Sequence, residues 1–490
     1  MYQVLIVGGG IHGVGIAADA ALRGLSVFLC EQADFAQHTS SASSKLIHGG
    51  LRYLEHGAWR LVREALQERE TLMNIAPHLV HPLRFVMPHN DQLRPAWMIR
   101  SGLFLYDRLA RRDKLPASAT EYLSAHQPLN DHFKKAFSYY DCQTNDARLT
   151  LGVAQLANDS GAVMRPRTRC ISAQRVEDYW LVRLQPEHGD TYEVRTKTLI
   201  NATGPWVQAL QHLSNSVPNS VRWVQGSHIV LEQPFPMTEA YLLQNDDRRV
   251  VFVLPWQQRY CLIGTTDHNL NEPPAQARPT LPEVQYLLDT YNRHFKLPIH
   301  QSKVLHAFAG VRTLHDAVNE NASSLTRDYS LLIDAPKEQA PLLTIVGGKL
   351  TTYRRLAEKA INRLQPWLGH LSPSLTASTT LPGGQSIPDW EAFVDDCVQR
   401  YAWLPSTLVK RLTQYGQKIH LILHNCNAVE DLGPHLGDGL YAREVDYVLQ
   451  QEWAVTTEDI LWRRTQLGLK RNPATEAALT AYLQGKAAQR

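Results

Sequence analysis

The sequence predicts an α/β chain that carries strand-rich segments in its middle and ends in a helical region, and three patterns predict it. Residues 2–7 form an apolar run, glycines follow, a helical pattern runs from Gly13 to Arg23, and a second apolar run covers Leu25–Cys30, which together make a β–α–β unit. Segments 177–203 and 221–267 alternate Val, Ile, Tyr and Trp with polar residues, as strands do. Beyond a Pro-, Ser- and Gly-rich stretch at 365–388, read as a linker, the pattern is helical to the end.

Along the chain, residues 34–50 are rich in Ser, Thr, His and Gly and read as a loop. Leu61, Val62, Ala65, Leu66, Leu72 and Met73 mark one face of a helix from Ala58 to Ile75, stopped near Pro77. Two more strands lie within 329–346. In the helical region, Thr456 precedes Asp459 by one capping-box interval, and Asn472-Pro473 fits an N-cap followed by proline at the first helical position.

The 490 residues suit about three domains at ~150 residues each. A hydrophobic fraction of 44% with 20% charged residues is globular and excludes wholesale disorder. Fifty Lys and Arg against 47 Asp and Glu give +3, so no nucleic-acid partner is expected and any anion must meet a local patch. No apolar run approaches the ~18 residues that span a bilayer. Met1-Tyr2-Gln3-Val4-Leu5 lacks a basic lead and reads as a first strand rather than a signal peptide. Cysteines 30, 142, 170, 261, 397 and 426 are too far apart for a zinc knuckle, an iron–sulfur cluster or a CxxC pair; reduced thiols and no metal are expected.

Gly8, Gly10 and Gly13 form G-x-G-x-x-G between a strand and a helix, where dinucleotide binding needs it. Gly8 permits the tight turn, Gly10 lets the backbone approach a pyrophosphate, and Gly13 lets helix and strand pack closely. The pyrophosphate then meets free N–H groups at the positive end of the helix dipole. Glu31 ends the second strand, where a carboxylate accepts from ribose hydroxyls and repels a 2′-phosphate, which argues against NADP. The fingerprint alone leaves NAD and FAD open. Two later strand-to-glycine turns, at 198–204 and 343–348, favour FAD, because several segments must line so long a cofactor.

Thr39-Ser-Ser-Ala-Ser-Ser-Lys-Leu-Ile-His-Gly-Gly-Leu-Arg-Tyr-Leu-Glu55 resembles a loop of the aerobic, FAD-dependent glycerol-3-phosphate dehydrogenases. Asp146-Ala-Arg-Leu149, Gly226-Ser-His-Ile-Val230, Ile263-Gly-Thr-Thr-Asp267, Ala309-Gly-Val-Arg312, Gly347-Gly-Lys-Leu-Thr-Thr-Tyr-Arg354 and Gly437-Asp-Gly-Leu-Tyr441 continue the resemblance in order. Thr313 departs from it, since proline is expected after Arg312. The resemblance implies a Rossmann-like FAD-binding domain of the glycine/D-amino-acid oxidase type, an inserted antiparallel-sheet substrate domain and an all-helical C-terminal domain. The expected division is 1–75, 145–215 and 305–365 for FAD, 76–144 and 216–304 for substrate, 366–388 as linker and 389–490 as the helical domain.

The resemblance further implies oxidation of sn-glycerol 3-phosphate to dihydroxyacetone phosphate, by hydride transfer from C2 to the flavin. Electrons would pass to quinone at the cytoplasmic side of the inner membrane, with peripheral attachment and a cytoplasmic pool left open. Such chemistry needs a base for the hydroxyl proton and cations for the phosphate and the developing alkoxide. The matched segments offer His228, Arg312 and Lys349 as catalytic residues and Arg52, Tyr53 and Thr265 as substrate-binding residues. Gly8, Gly10, Gly13, Glu31, Ser43, Ser44, Gly49, Gly50, Gly204, Gly347 and Gly348 would line the FAD. Which group takes the hydroxyl proton is open at this point.

Two basic amphipathic stretches are candidates for membrane contact. Residues 350–364 separate apolar and cationic faces, and the glycine turn before them favours packing on the FAD-binding domain. Residues 94–114 place Trp97 and Phe104 on the side of Arg94, Arg100, Arg108, Arg111, Arg112 and Lys114, an arrangement suited to a lipid interface, with a homodimer or interdomain contact as the alternative. The rival functions are an FAD amine oxidase that uses oxygen and a non-catalytic FAD-binding protein; the cluster Arg52, Arg312 and Lys349 argues for a phosphate substrate.

Overall fold

Two sheets meet along a cleft, and a helical region packs across both. The computed structural model describes residues 1–89, 94–124, 127–247, 249–315 and 329–488. The first sheet has eight strands. Its centre runs Leu342–Val346, Tyr192–Asn201, Tyr2–Val7, Val27–Cys30 and Val163–Arg165, all parallel, with Ser330–Asp334 antiparallel at one edge. Parallel strands covered on both faces need continuous apolar runs, and Val4, Leu5 and Ile6 are fully buried. Helices Ile11–Leu22, Asp146–Asp159 and Tyr353–Arg363 cover one face. On the other, Trp180 of the hairpin Thr168–Val176/Tyr179–Pro186 is buried with Leu5, Phe28 and Leu199.

The second sheet has ten strands and is antiparallel except where Ala240–Gln244 runs parallel to Val80–Pro88. Strand Val221–Glu232 is its spine, flanked by Tyr260–Gly264 and by His306–His315. His306–His315 therefore belongs to this sheet, although the division at residue 305 groups it with the FAD-binding segments. Its pairing runs unbroken from Val221↔His315 to Val230↔His306, so backbone ladder bonds fix its place. The short strand Leu46–Ile47 also joins this sheet, against Gln143 and Cys142, and carries the loop that follows the first βαβ unit across the cleft.

Residues 366–388 have little regular structure but are packed: Leu381 lies in the core beneath the first sheet, and Ser374 donates to Asp19. Beyond them, helices build a core of their own around Val409, Ile419, Val448 and Ile460, interrupted by the two-stranded hairpin His435–Gly437/Leu440–Tyr441. Asn472 caps helix Pro473–Ala487, and Thr456 and Asp459 exchange bonds as a capping box does, ahead of a π-helical turn at Asp459–Arg464. All six cysteines are buried and unpaired.

Helix Tyr353–Arg363 buries Tyr353, Leu356, Ala357, Ala360 and Ile361, while Arg354 pairs with Glu68 and Lys359 with Glu64. It is a packing helix of the first layer. Helix Ala96–Tyr106 instead leaves Trp97 70% and Phe104 48% exposed. Among the described residues no helix is long and apolar enough to cross a membrane.

A buried ion pair ties helix Trp59–Ile75 to the second sheet. Arg69 Nη1 lies 2.7 Å from Asp141 Oδ1, both residues being at most 2% exposed, and Tyr106 donates its hydroxyl to the same carboxylate. The Tyr106 oxygen in turn accepts the Gly49 N–H at 2.9 Å, which fixes the cleft loop. Removing one partner strands a buried charge. Arg69→Ala is expected to lose about 3–5 kcal/mol of unfolding free energy, measured by urea titration.

Candidate active site

Three glycine turns sit side by side because their strands are neighbours. Strands Leu342–Val346, Tyr192–Asn201 and Tyr2–Val7 are adjacent and parallel, so the turns that follow them open on one edge of the sheet. A Cβ on Gly8 (φ +118°) would lie 2.4 Å from the Ala202 carbonyl oxygen, and one on Gly13 would lie 1.9 Å from that of Gly8. No larger residue fits either position, and the backbone is left bare for a phosphate. Helix Ile11–Leu22 starts there with no side-chain cap from Gly10, though Ser40 Oγ accepts the Ile11 N–H at 2.9 Å. Glu31 accepts the Gly9 N–H at 2.6 Å and the Ala33 N–H at 2.9 Å, while burial pushes its carboxyl upward. Gly204, Gly347 and Gly348 take positive φ in the neighbouring turns. The cradle fits a dinucleotide.

Across the cleft, small residues make room for the reactive ones. His228 is paired opposite Gly264, where a Cβ would come within 2.1 Å of the imidazole Cδ2. The ring stacks on Phe308 at 5.0 Å and its Nε2 lies 2.8 Å from Ser44 Oγ. Burial, then Lys45 and Arg312, push the His228 pKa down to about 3. Arg312 Nη2 and Thr265 Oγ1 converge on Gly226: a Cβ there would lie 2.8 Å from the first and 2.6 Å from the second. Asp267 approaches Arg312 Nη2 at 3.7 Å. Thr313 pairs with Trp223 within an unbroken ladder, a position in which it has an N–H that proline would lack.

The remaining candidates lie on the loops between the sheets. Lys349 Nζ stands 3.7 Å over the Tyr53 ring. Gly50 (φ +76°) leaves space for that ring, since a Cβ would meet Tyr53 Cδ2 at 2.3 Å. Arg52 shares the short 3₁₀ helix Leu51–His56 with Tyr53 and makes no ion pair with a described residue. Ser43 gives both its N–H and its hydroxyl to Asp146, so its side chain holds the loop. Ser44 sits beside His228.

Three neighbours of these candidates carry no local signature strong enough to single them out in the sequence. The His48 pKa is pushed down to about 4 by burial, then by Lys349 and Arg312, and the backbone N–H of His48 donates to Thr351 Oγ1 at 3.2 Å. Its place directly before Gly49-Gly50 was the available signal. Lys45 is 2% exposed, its Nζ 2.7 Å from Asp146 Oδ1 and facing Trp256 and Phe308. Glu283, in the capping box of helix Leu281–His294, accepts from Ser227 at 2.8 Å and Thr266 at 2.7 Å, the neighbours of His228 and Thr265. Among the described residues no acidic, His or Cys cluster could hold a metal ion.

This topology, with three glycine turns on one sheet edge, a carboxylate at the end of the second strand and a cation-lined cleft, is that of an FAD-type oxidoreductase. Residues 3–354 match the family model described as FAD dependent oxidoreductase, and 374–486 match the C-terminal domain of alpha-glycerophosphate oxidase. A glycerol-3-phosphate dehydrogenase of Pseudomonas aeruginosa is 50% identical over 99% of this chain and 96% of its own. An aerobic glycerol-3-phosphate dehydrogenase of Escherichia coli K12 is 42% identical over 98% and 97%. The solved glycerol-3-phosphate dehydrogenase of Bacillus halodurans, complexed with FAD, superposes with a TM-score of 0.79 at 26% identity, covering 99% of this chain and 90% of that one. The chain belongs to the FAD-dependent glycerol-3-phosphate dehydrogenase family.

His228 carries a stability signature. Its folded pKa lies near 3, against 6.5 for the unfolded chain, so between those values only the unfolded state takes up the proton and stability falls as pH falls. At pH 5 this penalty is about 2 kcal/mol. The loss of urea stability between pH 7.5 and 5.0 is expected to be smaller in His228→Asn than in the parent by about that amount.

Proposed function

We infer that the protein oxidises sn-glycerol 3-phosphate to dihydroxyacetone phosphate with FAD as cofactor and passes the electrons to a membrane quinone. The observation that carries this reading is the convergence of Arg312 and Thr265 on Gly226, two residues before His228 on the same strand, with Lys349, directly after Gly347-Gly348, standing over Tyr53. FAD, when bound, supplies the hydride acceptor. The protein supplies the rest.

Arg52 and Lys349 suit the substrate phosphate, Arg52 through its fork of donors and Lys349 as a point charge. So many cations exceed what a carboxylate substrate needs, which favours the phosphate over an amine-oxidase reading. Arg312, held by Asp267, keeps a positive charge where the C2 oxygen becomes alkoxide-like. His228, neutral at physiological pH and with its Nε2 beside Ser44 Oγ, is the group we assign to the hydroxyl proton; an anionic substrate in the cleft would offset the cations that push its pKa down. Thr265 adds a hydroxyl contact.

Anaerobic addition of glycerol 3-phosphate to the yellow holoenzyme tests the reading: the flavin absorbance is expected to bleach. Bleaching only by amines, or none, contradicts it. In stopped flow, Arg312→Ala is expected to lose on the order of 10²-fold in the rate of flavin reduction at saturating substrate, the scale for a preorganised charge-stabilising donor. Arg52→Ala acts mainly on KM, with FAD content checked in both variants.

Helix Ala96–Tyr106 is the surface we assign to the membrane. Trp97 and Phe104 are exposed, and the Arg108 guanidinium lies 3.6 Å over the Phe104 ring, an aromatic and cationic pair suited to headgroup depth. The holoenzyme is expected to sediment with anionic liposomes at low salt and to release as salt rises. Trp97→Ser with Phe104→Ser weakens sedimentation. An unchanged pellet in that double variant assigns the contact elsewhere, and a change in oligomeric state instead assigns the helix to a dimer.

A further inference from the structure

The helical C-terminal region reaches the cofactor cradle through a buried ion network. Asp34, three residues after Glu31, is 1% exposed. Arg464, fully buried, grips both its carboxylate oxygens, with Nη2 2.9 Å from Oδ1, and Arg463 Nε lies 2.5 Å from Oδ2. Arg463 and Arg167 share Asp459 at 2.5 and 2.6 Å, so the guanidinium groups face two buried carboxylates. Arg464 also donates to the Glu452 carbonyl, next to Trp453. The Trp453 ring meets Phe35 edge to face at 5.2 Å.

Phe35 is the inner end of this chain of contacts. It is fully buried, and its Cδ1 lies 2.6 Å from where a Cβ on Gly9 would stand, so the ring presses on the glycine turn. Ala36 donates its N–H to the Gly9 carbonyl at 3.2 Å. Ala33 and Gly9 donate to the Glu31 carboxylate. The segment that orients Glu31 and backs the glycine turn is thus held from behind by side chains more than 400 positions later in the sequence. Trp462, one residue before the arginines, lies tilted against His306 of the second sheet with ring centres 4.5 Å apart, so the same turn braces the strand that carries Arg312.

We propose that the C-terminal helical region is a clamp for the cofactor: Arg463 and Arg464, through Asp34, fix residues 31–37 against the glycine turn, and FAD retention depends on them. None of these side chains touches the substrate cleft, so they are positioning residues. A carboxylate held in place before binding costs the ligand less ordering than one on a loose loop. The inference rests on FAD occupying the cradle.

The test uses full-length holoenzyme and reads FAD release by the rise in free flavin fluorescence. Arg464→Met keeps Arg463 on Asp34 and is expected to speed release on the order of 10-fold. Arg411→Met is the control, because it breaks a part-buried pair with Glu444 in the helical region without touching residues 31–37. It is expected to lower the melting temperature and leave release at the parent rate. Parent-rate release in Arg464→Met, or equal acceleration by both at matched loss of melting temperature, overturns the clamp. Amide hydrogen exchange on the parent gives a second reading that needs no variant. On removal of FAD, residues 452–467 are expected to lose protection together with residues 31–38; unchanged protection of 452–467 also overturns it. An absence of FAD in the parent would overturn the cofactor reading itself, whatever the variants do.

Discussion

The buried carboxylate of Asp146 is the fixed point on which the cleft depends. It opens helix Asp146–Asp159 beneath the first sheet, and it takes the Lys45 ammonium at 2.7 Å and both donors of Ser43. Those two residues belong to the loop that leaves the cofactor sheet and enters the substrate sheet at Leu46–Ile47. A helix on one sheet therefore pins the chain at the moment it crosses to the other. Everything that follows within ten residues, Ser44 beside His228, His48 near Lys349 and Arg312, and Tyr53 under Lys349, inherits its position from that pin. Asp141 repeats the device at Gly49, through Tyr106 and Arg69.

Charge in the cleft is divided between two kinds of side chain. Lys45, Arg312 and Lys349 bring positive charge to the cleft, whereas His228 and His48 are driven neutral by burial first and then by those cations. A cluster of like charges would repel itself. Holding the imidazoles neutral removes part of that repulsion.

The geometry of the glycine turns was legible in the sequence, because it is written locally. Gly8, Gly10, Gly13 and Glu31 fall within one βαβ unit, and the turns at Gly204 and Gly347 end recognisable apolar runs. The nearness of Thr265 to Arg312 beside the strand of His228 was legible only through resemblance, since they come from segments whose pairing no local pattern dictates. The division at residue 305 parts strand His306–His315 from Val221–Glu232 for that reason: ladder bonds join the two, and periodicity does not encode partners. Glu283 and Arg464 were invisible because their roles depend on contacts across long sequence separations. The helix Tyr353–Arg363 was readable as a packing element because the turn at Gly347-Gly348 delivers it to the sheet.

The most direct test of the account is a crystal structure of the holoenzyme with dihydroxyacetone phosphate. The account predicts the phosphate on Arg52 and Lys349, and the C2 oxygen within hydrogen-bond distance of Arg312, facing His228. A phosphate bound outside the cleft between the two sheets, or a C2 oxygen out of reach of both Arg312 and His228, would contradict it.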